Sequence, residues 1–149
     1  MKDFSEFQDW LAICELKARY CRLLDTKDWD GWRELFTEDY ELDVSQETGQ
    51  PPIKGRAAAM ESVLSHIRHA TTSHQVHTPE ITLNGDEATG VWAMQDRVIL
   101  PQGHSFEGFG HYHERYVRRN GQWKIATLKL TRLQIDVGLS PANKPGAPS

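Results

Sequence analysis

The chain holds 149 residues, 38% of them hydrophobic and 26% charged, and carries a formal net charge of -4 at pH 7. A chain of this length is one domain, large enough to bury roughly 68–70% of its unfolded surface and so to enclose a pocket. Acids and bases are mixed along it, which argues against nucleic acid or a membrane surface as the main partner, and no apolar run approaches the ~20 residues of a membrane span.

The N-terminus, Met1-Lys2-Asp3-Phe4-Ser5-Glu6, is polar and acidic. It does not read as a secretory signal, so a cytoplasmic protein is expected. Residues 4–24 show helical periodicity. Phe7, Leu11, Cys14, Ala18 and Cys21 recur at three- and four-residue steps, and Ile13, Leu16, Tyr20 and Leu24 widen the stripe. So wide a stripe implies a helix packed deep against a sheet. Cys14 and Cys21 stand seven residues apart on it. That is a rise of about 10 Å, beyond the reach of a disulfide, so both read as small core residues.

A second short helix is expected over 29–36, with Asp28 as its N-cap. Tyr40-Glu41-Leu42-Asp43-Val44 alternates as a strand. Residues 46–55 read as a loop, broken by Gly49, Pro51, Pro52 and Gly55. The alanine-rich stretch 56–69 is helical, with Met60, Val63, Leu64 and Ile67 on its apolar side. Strands follow over 75–83, 88–100, 106–118 and 122–137, separated by Asn84-Gly85-Asp86, Pro101-Gln102-Gly103 and Asn120-Gly121. Gly90, Gly108 and Gly110 suggest bends that close the sheet into a cone. Residues 138–149 form a flexible Pro/Gly-rich tail in this reading. Helices first and antiparallel strands last is an α+β pattern: one curved sheet wrapped round a long N-terminal helix.

Chemistry concentrates at two positions. Asp25 closes the long helix, and His74 opens a strand about fifty residues later. A carboxylate and an imidazole in an apolar cleft make a general base, because the carboxylate fixes the tautomer and stabilises the cation formed. Asp96 shares a strand face with Met94 and Trp92, and Arg132 shares one with Leu128 and Leu130. A charge on an apolar face is expensive unless it is paired or useful. His111-Tyr112-His113 reads as two imidazoles on opposite faces of a strand, as do His74 and His77, so no metal site is expected. His66 and His69 read as solvated. No Gly-rich phosphate loop and no serine or cysteine nucleophile motif is present.

The runs Leu24-Asp25-Thr26-Lys27-Asp28-Trp29-Asp30, Ser73-His74 and Asn120-Gly121-Gln122-Trp123-Lys124-Ile125 resemble the SnoaL-like branch of the nuclear-transport-factor-2-like superfamily. That branch includes polyketide cyclases, scytalone dehydratase, hexachlorocyclohexane dehydrochlorinase and bile acid 7α-dehydratase. The resemblance covers roughly residues 5–137. It implies a cone in which Asp25 and His74 face one another, with Tyr20, Asp96 and Arg132 completing the set as in the bile acid dehydratase type. The chain departs from scytalone dehydratase. Leu24 stands where a tyrosine is expected, and Gly110 and Tyr112 roughly replace a serine and an asparagine.

The resemblance implies His74 as base and Asp25 as its orienting partner. Tyr20 would be a hydrogen-bond donor or acid, Asp96 a holder of a substrate hydroxyl, and Arg132 a binder of an anionic or carbonyl group. Trp92, Met94, Leu128 and Leu24 are the expected apolar lining. On an ideal helix Tyr20 and Asp25 project about 140° apart, so they converge only if the helix loosens before Asp25.

Two functions follow. One is a cofactor-free lyase or isomerase acting on a bulky hydrophobic small molecule. The other is a non-catalytic binding or assembly module of the same fold. The resemblance also implies a dimer or trimer, paired through the outer sheet face, with Phe109, His111 and Tyr116 as candidates for that face.

Overall fold

The structure is a computed structural model, and it describes residues 3–139. Helix α1 (Phe4–Asp25) starts at Asp3, whose carboxylate accepts the Glu6 N–H. Asp28 caps α2 (Trp29–Arg33) in the same way, accepting from the Gly31 N–H. This second helix stops short of the expected span, because Phe36 already begins strand β1 (Phe36–Asp43). The expected loop over 46–55 contains a single helical turn, α3 (Ser45–Thr48), and a two-residue strand, β2 (Ile53–Lys54). Then come α4 (Arg56–Ile67), β3 (Thr71–Asn84), β4 (Glu87–Ile99), β5 (His104–Arg119) and β6 (Gln122–Leu139).

The six strands lie in the order β2-β1-β6-β5-β4-β3. All neighbours are antiparallel except β1 and β6. The sheet curls round α1 without closing, so β2 and β3 remain edges. β4 shows the two-residue period plainly, with Ala88, Gly90, Trp92, Met94, Asp96 and Val98 all buried. Asn120 and Gly121, at φ 52° and 74°, form the hairpin that the Asn-Gly pair demands. At Gly110 a Cβ would stand 2.0 Å from the Thr131 carbonyl oxygen. The β5–β6 register slips beside it, pairing Phe109 with Gln134 but Gly110 with Arg132, which leaves Leu133 as the extra residue of a bulge.

The periodicity of α1 misplaces its buried face. Ile13, Leu16, Lys17, Tyr20, Leu23 and Leu24 are buried, whereas Phe7 and Leu11 are 43% and 42% exposed. Ala18 is exposed, and Cys14 and Cys21 are free and half-buried. Apolar residues nearly ring this helix, so pattern alone cannot choose a face. Polar ties at the two ends choose it. Asp9 meets Arg118 at 2.5 Å and accepts from Trp123 at 3.2 Å. Asp25 meets His74 on β3 at 2.7 Å.

Three further expectations are corrected. His111 and His113 lie on one face, with ring centroids 6.2 Å apart, because residues two apart on a strand share a side. Tyr116 is fully buried on the concave side, whereas the other two outer-face candidates, Phe109 (49% exposed) and the half-buried His111, do lie on the outer face. Gly138 and Leu139, expected in the tail, continue β6 opposite Ser105 and His104; the rest of the expected tail, residues 140–149, lies outside the described residues. No helix among the described residues is long and apolar enough to cross a membrane.

The core holds an ion pair that the pattern did not announce. Lys17 and Glu114 meet at 2.8 Å with both side chains fully buried. The ammonium lies 3.6 Å from the Tyr20 ring centroid and 3.9 Å from that of Tyr112. Burial pushes the Glu114 carboxyl upward, and Lys17 opposes it. Removing one partner alone leaves a naked buried charge. Lys17→Met should therefore destabilise by about 3–5 kcal/mol, whereas Lys17→Met with Glu114→Leu should lie near or above the wild type. Urea unfolding midpoints check this; equal loss in both variants would refute it.

Candidate active site

Asp25, the last residue of α1, points at the edge strand β3. One carboxylate oxygen accepts the His74 backbone N–H at 2.8 Å. The other meets His74 Nδ1 at 2.7 Å and accepts the Thr72 hydroxyl at 2.9 Å. Thr72 in turn accepts Lys27 Nζ at 2.7 Å. Burial pushes the Asp25 carboxyl upward, but the bonds from the His74 ring, its backbone and Thr72 outweigh it and hold the group below the usual carboxylate range. Burial draws the Lys27 ammonium down, opposed by the Asp25 charge. With Asp25 ionised, Nδ1 of a neutral His74 must carry its hydrogen, which leaves Nε2 as the lone-pair nitrogen. Among the described residues Nε2 has no hydrogen-bond partner.

His74 pairs across the sheet with Asp96, which pairs with Gly108, which pairs with Ile135. These four share one row of the concave face. Asp96 is 8% exposed and takes both guanidinium nitrogens of Arg132, at 2.8 and 2.7 Å. Arg132 reaches it by leaning over Gly108, where a Cβ would stand 2.4 Å from Nη1. Arg132 Nε bonds Glu47 of α3. Burial works against the Arg132 charge, but the Asp96 and Glu47 carboxylates outweigh it and drive its pKa up.

Tyr20 stands apart from this row. The helix runs unbroken through Asp25, so the two side chains diverge as ideal geometry requires. The Tyr20 ring lies against Trp32, Phe36 and Tyr112 at centroid distances of 5.6, 6.0 and 5.9 Å. Burial pushes the phenols of Tyr20 and Tyr112 well above their usual range, and Asp96 adds to this at Tyr112. Both are therefore neutral hydrogen-bond donors. Trp92, Met94, Leu128 and Leu24 show only 5%, 2%, 1% and 2% exposure and belong to the packed core. They do not line open space. Three open clefts, of about 420, 490 and 440 Å³, lie beside Trp123, on the convex face beside Phe109, and beside His66 and His69. Neither Asp25 nor His74 borders any of them. The uncovered apolar side chains near the dyad are further along the concave face, at Ile135 (41% exposed) and Val137 (78%). Val137 pairs with Phe106 and so belongs to the next row toward the open end.

This arrangement can be compared with known proteins. A family model described as a SnoaL-like domain matches residues 5–129. The chain belongs to the SnoaL-like family. A protein of unknown function from Mycobacterium tuberculosis, solved as an aspartate-to-asparagine variant, is 31% identical, with 86% of this chain and 73% of that one aligned at a TM-score of 0.74. A scytalone dehydratase-like protein from Novosphingobium aromaticivorans is 20% identical, over 93% of this chain and 96% of its own, at 0.80. A hexachlorocyclohexane dehydrochlorinase from Novosphingobium barchaimii is 19% identical, over 89% and 91%, at 0.76. The last two establish a shared fold.

Within this SnoaL-like domain the sequence reading missed five polar groups of the concave face and its rim: Lys17, Tyr112, Glu114, Thr72 and Glu47. Lys17 was findable, since it lies one turn before Tyr20 and Cys21 and one turn after Ile13, on a helix face otherwise apolar. Glu114 was findable by its strand parity with Tyr112 and Tyr116. Nothing local marks Glu47.

The dyad has a signature in acid. Asp25 is held below its unfolded value, near 3.9, so its contribution to stability is fully present above that value and fades as pH falls through the folded pKa. The stability gap between wild type and Asp25→Asn should be constant near neutrality and shrink below about pH 4. Urea titrations across that range measure it; a gap that widened in acid would show that the sign is wrong.

Proposed function

We propose that this chain is a cofactor-free lyase of the dehydratase type, or an isomerase, acting on a bulky hydrophobic small molecule. The observation that carries the reading is the Asp25–His74 pair, whose geometry leaves Nε2 unbonded on the concave face. In this mechanism Nε2 takes a proton from a carbon next to a carbonyl or, in a halogenated ring, from a carbon next to the one that bears the halide. The electron pair left behind forms a double bond. In the lyase it expels hydroxide or halide from the neighbouring carbon; in the isomerase a proton returns at a different carbon. Asp25 holds the imidazole in the required tautomer and offsets the charge it gains.

The other groups take supporting roles. Asp96 and Arg132 form a polar wall one strand away, placed to meet a hydroxyl or carbonyl oxygen. Tyr112, next to Asp96 in charge, is the donor closer to that wall. Tyr20 supports Tyr112 from behind. The substrate's apolar body lies over the row from His74 to Ile135, with Val137 beyond it. Trp92, Met94, Leu128 and Leu24 make the solid floor beneath rather than the walls.

That solid floor also favours a second reading, a binding or assembly module without turnover. Turnover decides between them. Solvent-deuterium incorporation and product formation can be followed by NMR over a panel that includes scytalone, other β-hydroxy ketones and hexachlorocyclohexane. Asp25→Asn and His74→Ala should each slow the reactive substrate by about 10²–10⁴-fold, the range of general-base catalysis, while circular dichroism stays native. Full activity in either variant removes the dyad from the mechanism, and no turnover across the panel favours the binding module.

A further inference from the structure

The seat beside Arg132 is already occupied by a carboxylate of the protein itself. Asp96 and Glu47 both bond this guanidinium, but in unlike ways. Asp96 is a two-point partner with its side chain 4% exposed, fixed on β4. Glu47 makes a single contact from a side chain 32% exposed. Glu47 also stands on a weakly held element. α3 is one turn long and buries no residue, and its one side-chain tie to β1 is the Asp43 carboxylate, which accepts the Ser45 N–H at 3.0 Å. It is followed by Gly49 at φ 69°, and Gly55 at φ 99° opens the next helix. What fastens α3 to β6 is Glu47 on Arg132 and Gln46 on the Arg132 backbone, where Gln46 accepts the N–H and donates to the carbonyl at 3.4 Å.

Glu47 makes one contact from a partly exposed side chain, against two from the buried Asp96, so exchanging Glu47 for another carboxylate costs less than displacing Asp96. The exchange also leaves the number of negative groups on Arg132 unchanged, so the guanidinium never loses its second partner. The surroundings suit an apolar acid. The Arg132 guanidinium lies 5.8 Å from the Phe106 ring centroid. Ile135 and Val137 stand uncovered along the same face, and Leu133, in the bulge next to Arg132, is 70% exposed.

We propose that Glu47 is an internal stand-in for the carboxylate of an apolar acid, and that such a ligand displaces it from Arg132 and lifts α3 from β6. This deepens the functional reading above and rests on it for the site, since the seat adjoins the His74–Asp96 pair. It makes the substrate a hydrophobic carboxylic acid rather than a neutral hydrocarbon skeleton.

Binding of 1-naphthoate, with 1-naphthalenemethanol as its neutral counterpart, tests this by calorimetry without any need for turnover. Glu47→Gln and Glu47→Ala, both on a surface turn with nothing buried, should bind naphthoate about five- to tenfold more tightly than wild type. Neither should change binding of the neutral alcohol. Amide exchange at residues 45–48 should quicken when naphthoate binds wild type. The paired variant Asp96→Leu with Arg132→Met, which removes both buried charges together, should lose naphthoate binding. If neither Glu47 variant gains affinity for naphthoate, or the alcohol gains equally, the stand-in role is wrong. That failure would leave the dyad intact, and a dyad without turnover would leave the binding shift intact.

Discussion

One carboxylate settles how the long helix and the sheet come together. Asp25 accepts the backbone N–H of His74 and meets its ring as well, so a single side chain fixes both the main chain and the side chain of β3 at that point. β3 is a sheet edge, with donors that a further strand would otherwise take. Asp25 takes one of them, and so ends the sheet there as well as docking the helix. At the other end of α1, Asp9 plays the matching part with Arg118 and Trp123. Two acids sixteen positions apart thus set the roll of a helix whose apolar residues would accept several.

The same tie makes chemistry available. Because Asp25 is spent on the Nδ1 side, Nε2 is left without a hydrogen-bond partner among the described residues, and the strand register carries the row of polar groups sideways. His74 stands opposite Asp96, and Asp96 opposite Gly108. Gly108 has no side chain, and the space it leaves is filled by the Arg132 guanidinium reaching across from β6. Base, acid and cation therefore lie along one row without any of them sitting on a flexible loop. Such a row is stiff, since each member is held by backbone pairing as well as by its own polar bonds.

Much of this was legible in the sequence, and the failures share a cause. The four long strands and their turns were readable because a two-residue period and Asn-Gly chemistry are local signals. The long helix was readable in extent but not in orientation, because the facing choice depends on Arg118 and His74, far away along the chain. Asp25, His74, Asp96 and Arg132 were picked out as residue types in unusual settings. The partnership of Asp96 with Arg132 was not, since it needs the β5–β6 bulge that aims Arg132 across Gly108. The parallel pairing of β1 with β6, and the turn of helix inside the expected loop, likewise left no local trace. The shared face of His111 and His113 is itself a local signal, since residues two apart on a strand point the same way.

The buried polar groups divide by how their charge is satisfied, and that division separates support from site. Lys17 and Glu114 pair their charges out of reach of solvent, beneath two tyrosine rings, with the second Glu114 oxygen left without a hydrogen bond. Replacing such a pair with apolar residues costs little stability, so its presence bears on how Tyr20 and Tyr112 are held rather than on whether the fold forms. Asp96 and Arg132 are satisfied more fully, by two hydrogen bonds, and Arg132 also holds a second carboxylate from a half-exposed turn. Asp25 is over-satisfied, with three donors, while its partner His74 keeps one nitrogen bare. His74 lies on the row of the concave face that ends at Ile135, with Val137 uncovered beyond it. A ligand seated there would meet the unbonded nitrogen and the exchangeable side of the guanidinium together. The deeper floor of Trp92, Met94, Leu128 and Leu24 could stay packed throughout.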